Sequence, residues 1–258
     1  MRALSGVLFV LFTATAAWPS AQTDRLVDAL GLPALIVAFS TEGVESGAAL
    51  DAGLLNGQGG NVWAETVRRL YDPERLVQEV RAAFDARLDP EVAAQALLFF
   101  ESDLGQRLTE LEVQARQAML RPDLEEMAKS APAASSDAIS DFLTIRDLVA
   151  RNTDTSLKAQ IAFFAGMAEV TGRANETPDI EAQRDAVAAN TESWLRGYYA
   201  LAQSPLSADD VAIYTAFWDT DVGRALDDML FEAFGSSYST LSFGLGQTAG
   251  RLLPQNDL

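Results

Sequence analysis

A ten-residue phrase occurs twice in this chain. FFESDLGQRL, Phe99 to Leu108, returns as FWDTDVGRAL, Phe217 to Leu226, at an offset of 118 residues (217 less 99). Phe99 and Phe217, Asp103 and Asp221, Gly105 and Gly223, and Leu108 and Leu226 are identical pairs. Phe100 with Trp218, Glu101 with Asp219, Ser102 with Thr220, and Leu104 with Val222 keep their chemical character. A repeat of that length has the size of a domain, not of a solenoid module. It predicts an all-α protein of two tandem related helical domains, each a small bundle of about five helices. The expected units are residues 22–129 and 139–258, joined by a small, polar linker at 130–138.

Helix punctuation supports that reading. Asp72, Asp89 and Thr177 each stand directly before a proline, the order in which a capping side chain meets a first helical residue with no N–H to satisfy. Ser207 to Asp210 has the form of a capping box. Leu76, Val77, Val80, Ala83, Phe84 and Leu88 recur at three- and four-residue spacing, as on one buried helical face. No segment alternates with β-branched enrichment, so no strands are expected.

Within the repeat, a helix from Pro90 is expected to end near Glu101. Ser102 then caps a new helix and Asp103 occupies its first turn, where the macrodipole favours a carboxylate. Thr220 and Asp221 do the same in the second copy. Gly105 and Gly223 remove a side chain where two helices cross closely. These positions, with Phe99, Phe100, Phe217 and Trp218, are read as structural. Two aromatics, a spacer, Ser or Thr, a spacer, an aliphatic residue and Gly resemble the signature of a bacterial exported domain of unknown function, family 2059. In that family proline commonly follows the Ser; here the position holds Asp103 and Asp221. The resemblance implies two divergent tandem copies over nearly all of the mature chain, an all-helical fold and an envelope location. It implies no reaction.

Composition excludes more chemistry than any motif suggests. There is no histidine, which removes the usual general base near neutral pH and the commonest transition-metal ligand. There is no cysteine, so thiol catalysis, disulfides, zinc–thiolate sites and iron–sulfur clusters are excluded together. With 37 acidic and 19 basic residues the net charge is −18, the wrong sign for nucleic acid. No cofactor, metal or catalytic residue is assigned. Asp219 to Gly223 imitates a calcium loop, but Leu230 stands where its last ligand belongs. The Gly244 to Ala249 run imitates a dinucleotide fingerprint without its strand.

Residues 1–21 have the order of a secretory signal peptide: Arg2, an apolar run, then small residues. Cleavage would leave a periplasmic protein with no stable membrane span. An N-terminal membrane anchor is the alternative. The uncharged stretch from Ala233 to Gly250 is expected to be buried within the protein, with Gly246 and Gly250 permitting close packing. Trp194, Tyr198, Tyr199, Phe217 and Trp218 crowd two helices of the second copy and are the candidates for a groove that takes an apolar ligand or a partner helix. The functional expectation is a non-catalytic binding or interaction protein whose partner is a protein or apolar ligand of the cell envelope. The alternative is a carboxylate-dependent hydrolase of envelope glycans, with Glu101 and Asp219 as its acids.

Overall fold

The computed structural model of the chain describes residues 18–172 and 178–253. Most of the expected signal segment and the Thr177 cap lie outside the described residues. Those that are described form helices only, with no strand: α1 (Trp18–Ala29), α2 (Leu32–Leu54), α3 (Gly60–Leu70), α4 (Pro73–Arg87), α5 (Pro90–Phe100), α6 (Asp103–Ala118), α7 (Pro122–Lys129), α8 (Asp137–Ile145), α9 (Leu148–Thr171), α10 (Arg184–Gln203), α11 (Ala208–Trp218) and α12 (Asp221–Leu252). Short 3₁₀ turns span Pro132–Ser135 and Glu181–Gln183.

Most boundaries follow from local chemistry. Asp72 and Asp89, extended residues before prolines, accept from the backbone N–H of Glu74 and Glu91 and open α4 and α5. A side-chain cap of this kind contributes about 1 kcal/mol. Both halves of the Ser207–Asp210 capping box are formed at the start of α11. Gly31, with φ of 65°, makes the turn between α1 and α2 in a region that side chains disfavour. No single described helix is long and apolar enough to cross a membrane; Ala21–Ala29 and Leu32–Leu54 reach that composition only as a pair bent by 62°.

α12 is the organising element. It lies along α9 and also touches α3, α4 and α5 from the first half of the chain. Gly246 meets the carbonyl of Phe163, and Gly166 meets that of Phe243; a Cβ on either would fall about 2 Å from a backbone oxygen. The uncharged part of α12 is thus packed inside the protein, where Leu241, Leu245 and Ala249 are buried.

A single cluster of buried side chains takes residues from both repeat segments, from Leu26, Trp63 and Phe84 to Phe142, Tyr214 and Leu241. The core is continuous across the segment read as a linker. There Ala134 is buried, and its carbonyl accepts from Arg196 on α10. Counted by element, α1 to α7 fall on one side of the Pro132–Ser135 turn and α8 to α12 on the other. The first side exceeds about five helices because the chain breaks at Tyr71–Asp72 and at Arg121–Pro122, whose counterparts at the 118-residue offset, Ala189–Asn190 and Ser239–Thr240, lie inside α10 and α12.

Candidate functional site

The two copies of the repeated phrase meet face to face. The Phe99 and Phe217 rings stack with centroids 4.2 Å apart and planes 15° from parallel. Phe100 sits edge-on to Phe217 at 5.2 Å and 6.0 Å from Trp218. Around this stack the two turns have the same construction. Ser102 Oγ donates to the Phe99 carbonyl at 2.6 Å, and Thr220 Oγ1 donates to the Phe217 carbonyl at 2.6 Å. The N–H of Gly105 donates to Ser102 Oγ at 3.1 Å, and that of Gly223 to Thr220 Oγ1 at 3.0 Å. A Cβ on Gly105 would fall 2.1 Å from the Phe99 carbonyl oxygen, and one on Gly223 2.2 Å from that of Phe217. Asp103 and Asp221 are exposed in the first turns of α6 and α12. The motif residues therefore join α5 to α6 and α11 to α12, and the stacked aromatics join those pairs to each other.

The acids of the repeat lie on the outside. Glu101 forms an exposed bidentate pair with Arg25, and Asp219 and Asp221 share Arg224. No three acidic side chains among the described residues converge on a point able to hold a metal ion.

The hollow of the molecule lies between the halves. A cavity of about 370 Å³ is walled by Leu32, Leu35 and Phe39 of α2, Phe100 of α5, Glu112 and Arg116 of α6, Asn152 of α9, and Leu230, Phe231 and Phe234 of α12. Trp194, Tyr198, Tyr199 and Trp218, four of the five aromatic residues singled out in the sequence, belong to the same wall. Phe217, the fifth, is outside it, in the stack on Phe99. A second cavity of about 340 Å³ adjoins the first through the shared residues Phe39, Arg116, Asn152, Trp194 and Phe234. Trp194 stands at the junction. Its ring stacks on Tyr198 at 5.2 Å, and the Arg116 guanidinium lies 5.0 Å from the indole centroid.

One end of the larger cavity is polar. Arg146 donates to both carboxylate oxygens of Asp227, at 2.6 and 3.2 Å, and both side chains are almost wholly buried. The same guanidinium lies 3.8 Å from the centroid of Trp218 and 3.3 Å from the Tyr199 hydroxyl. Glu112 accepts from the Tyr214 hydroxyl at 2.7 Å, and its backbone carbonyl accepts from the Tyr198 hydroxyl at 3.2 Å. Burial raises the Glu112 pKa above the ordinary carboxylate value, against the hydrogen bond from Tyr214 and the charge of Arg146. Protein atoms enclose Glu112, and it retains some accessible surface because it forms part of the cavity wall. Burial also pushes the phenols of Tyr198, Tyr199 and Tyr214 up, so all three are protonated donors. The Trp218 indole N–H is buried without a partner among the described residues.

Glu112, Arg116, Arg146, Tyr214 and Asp227 were not singled out in the sequence. In a helical run, Glu112 and Arg116 look like an exposed i,i+4 pair. The available signal was the offset: Glu112 corresponds to Leu230 and Arg116 to Phe234, so a charge occupies a place where the other copy is apolar.

The model of an uncharacterized protein family conserved in bacteria, domain of unknown function 2059, matches residues 74–133. That segment runs from α4 to the Pro132–Ser135 turn and contains the first copy of the phrase, Ser102, Gly105 and Glu112. No curated protein and no solved structure matches the chain.

Proposed function

We propose that the protein is an exported, non-catalytic binding protein of the bacterial envelope that takes an apolar molecule into the cavity between its two repeat units. The observation that carries this reading is the wall itself. Leu32, Leu35, Phe39, Phe100, Trp194 and Phe234 present an apolar lining, with a few polar groups gathered at one end. Small-molecule sites have this composition, and their volumes begin at about 300 Å³. The 1–21 segment supports export. Matched hydrogen bonds at the two turns support an origin of the chain as two tandem copies, whose contact became the ligand-holding interior. The hydrolase alternative draws no support from the acids it named, since Glu101 and Asp219 are engaged in exposed ion pairs.

The test is a titration with 1-decanol followed by tryptophan emission and thermal unfolding. Trp194 borders both hollows and Trp218 the larger one, so a saturable emission change is expected in the native protein and a smaller one in Trp194→Phe, where Trp218 is the tryptophan left in the wall. At a hundredfold excess over Kd the unfolding free energy is expected to rise by about 2.7 kcal/mol. No saturable change together with an unmoved melting temperature contradicts the reading.

A further inference from the structure

Three charged side chains of the cavity end are already matched, and one is not. Arg146 is held by Asp227 through two hydrogen bonds, and Arg151 adds a longer contact at 3.8 Å. Arg116 is held by Glu42, with each of its terminal nitrogens on a different carboxylate oxygen. Glu112 has no cation within ion-pair distance among the described residues; its only side-chain partner is the neutral Tyr214 hydroxyl. A carboxylate has room for about four hydrogen bonds. In a cavity lined mainly by apolar and aromatic side chains, with one of those bonds made, it is the group that gains most from a cationic partner. The groups facing it from other elements are Tyr198, Tyr199, Tyr214, Arg146 and Asp227. The tyrosines are neutral and the last two neutralise one another. Aromatic faces also favour a cation, and a net charge of −18 draws cations towards the molecule and repels anions.

We infer that the ligand of this cavity is an apolar chain ending in a protonated amine, with the ammonium on the Glu112 carboxylate and the chain against Leu35, Phe39 and Phe234. This rests on the binding function proposed above and specifies its chemistry. An ammonium there completes a charge-assisted hydrogen bond in the polar end, while the chain fills the apolar part of the same wall.

The experiment compares three probes of equal chain length, 1-decylamine, 1-decanol and decanoate, each below its aggregation concentration, by calorimetry on the full chain. Decylamine is expected to bind at least about tenfold more tightly than decanol. In Glu112→Gln, which keeps an acceptor for Tyr214, the preference is expected to fall below about twofold, chiefly through weaker decylamine binding. Glu110→Gln removes the same charge from an exposed position on the same helix and is expected to keep the preference, which separates the cavity from general attraction to an acidic protein. Decanoate binding as well as decylamine, equal binding of decylamine and decanol to the native protein, or a preference that survives Glu112→Gln overturns the inference. In the second case decanol binding leaves the apolar-cavity function standing. If none of the three binds, that function fails and the inference with it. Should Glu112→Gln not fold, the comparison of the three probes on the native protein and on Glu110→Gln still decides.

Discussion

α6 and α12 start alike and end differently. Each opens on an extended Ser or Thr cap with ψ near 160°, followed by an exposed Asp and a buried Gly. Leu108 and Leu226 are buried at one position of the offset, and Ala115 and Ala233 at another. Then α6 stops at Ala118, while α12 runs on to Leu252. Arg121 precedes Pro122, and a proline both lacks a donor and forces the residue before it out of the helix; at the same offset α12 has Ser239 and Thr240, which impose no break. The uninterrupted helix is the one that reaches back to α3, α4 and α5 and closes the core. The second difference concerns polarity. Where the copies agree, the residues hold turns and packing; where they disagree, as at Ala96 and Tyr214, Thr109 and Asp227, or Glu112 and Leu230, they supply the polar end of the cavity.

The largest expected effect lies at one of the divergent pairs. Asp227→Asn leaves Arg146 buried without its counter-charge and is expected to cost about 3–5 kcal/mol. Thr109→Val, at the matching position, removes one hydrogen bond to the Ala29 carbonyl and is expected to cost about 1 kcal/mol. Chemical denaturation measures both, and equal losses break the comparison. Next come the shared glycines. Gly105→Ala and Gly223→Ala each drive a methyl into backbone and are expected to cost about 2–3 kcal/mol, alike within about 0.5 kcal/mol. A neutral result at either site shows that its turn is not tightly joined.

The caps are worth less. Ser102→Ala and Thr220→Ala are each expected to lower stability by about 1 kcal/mol. The smallest effect is the pH dependence at Glu112. Its folded pKa is raised, so the folded state binds the proton more tightly than the unfolded chain does. Its contribution is therefore full below the unfolded glutamate value and is lost as pH rises through the folded one. Melting temperatures of the native protein and Glu112→Gln, followed from pH 4 upward (roughly the unfolded glutamate pKa), are expected to show the native protein losing ground to the variant. A constant difference contradicts the burial of that carboxyl.

The helices and the paired turns were legible in the sequence because they depend on local chemistry: a cap, a proline, a glycine two residues after an Asp. Four of the aromatic wall residues were legible for a related reason, since Trp194 and Tyr198 stand where the first copy has Leu76 and Val80. The continuous core was not. Whether two helical units touch lightly or share one interior depends on surfaces from α2, α9 and α12 that are distant in the chain, and no local pattern records it. The partnering of Arg146 with Asp227 was hidden likewise, because Arg146 lies outside the repeated phrase and its mate is 81 residues away. Glu112 was hidden by an exposed-looking helical context.

A crystal structure of the full chain grown with 1-decylamine tests the central claim most directly. The account predicts the molecule between the two repeat units, its nitrogen within hydrogen-bond distance of Glu112 and its chain alongside Phe39 and Trp194. Decylamine found only on the outer surface, with the cavity collapsed or filled by side chains, would contradict it.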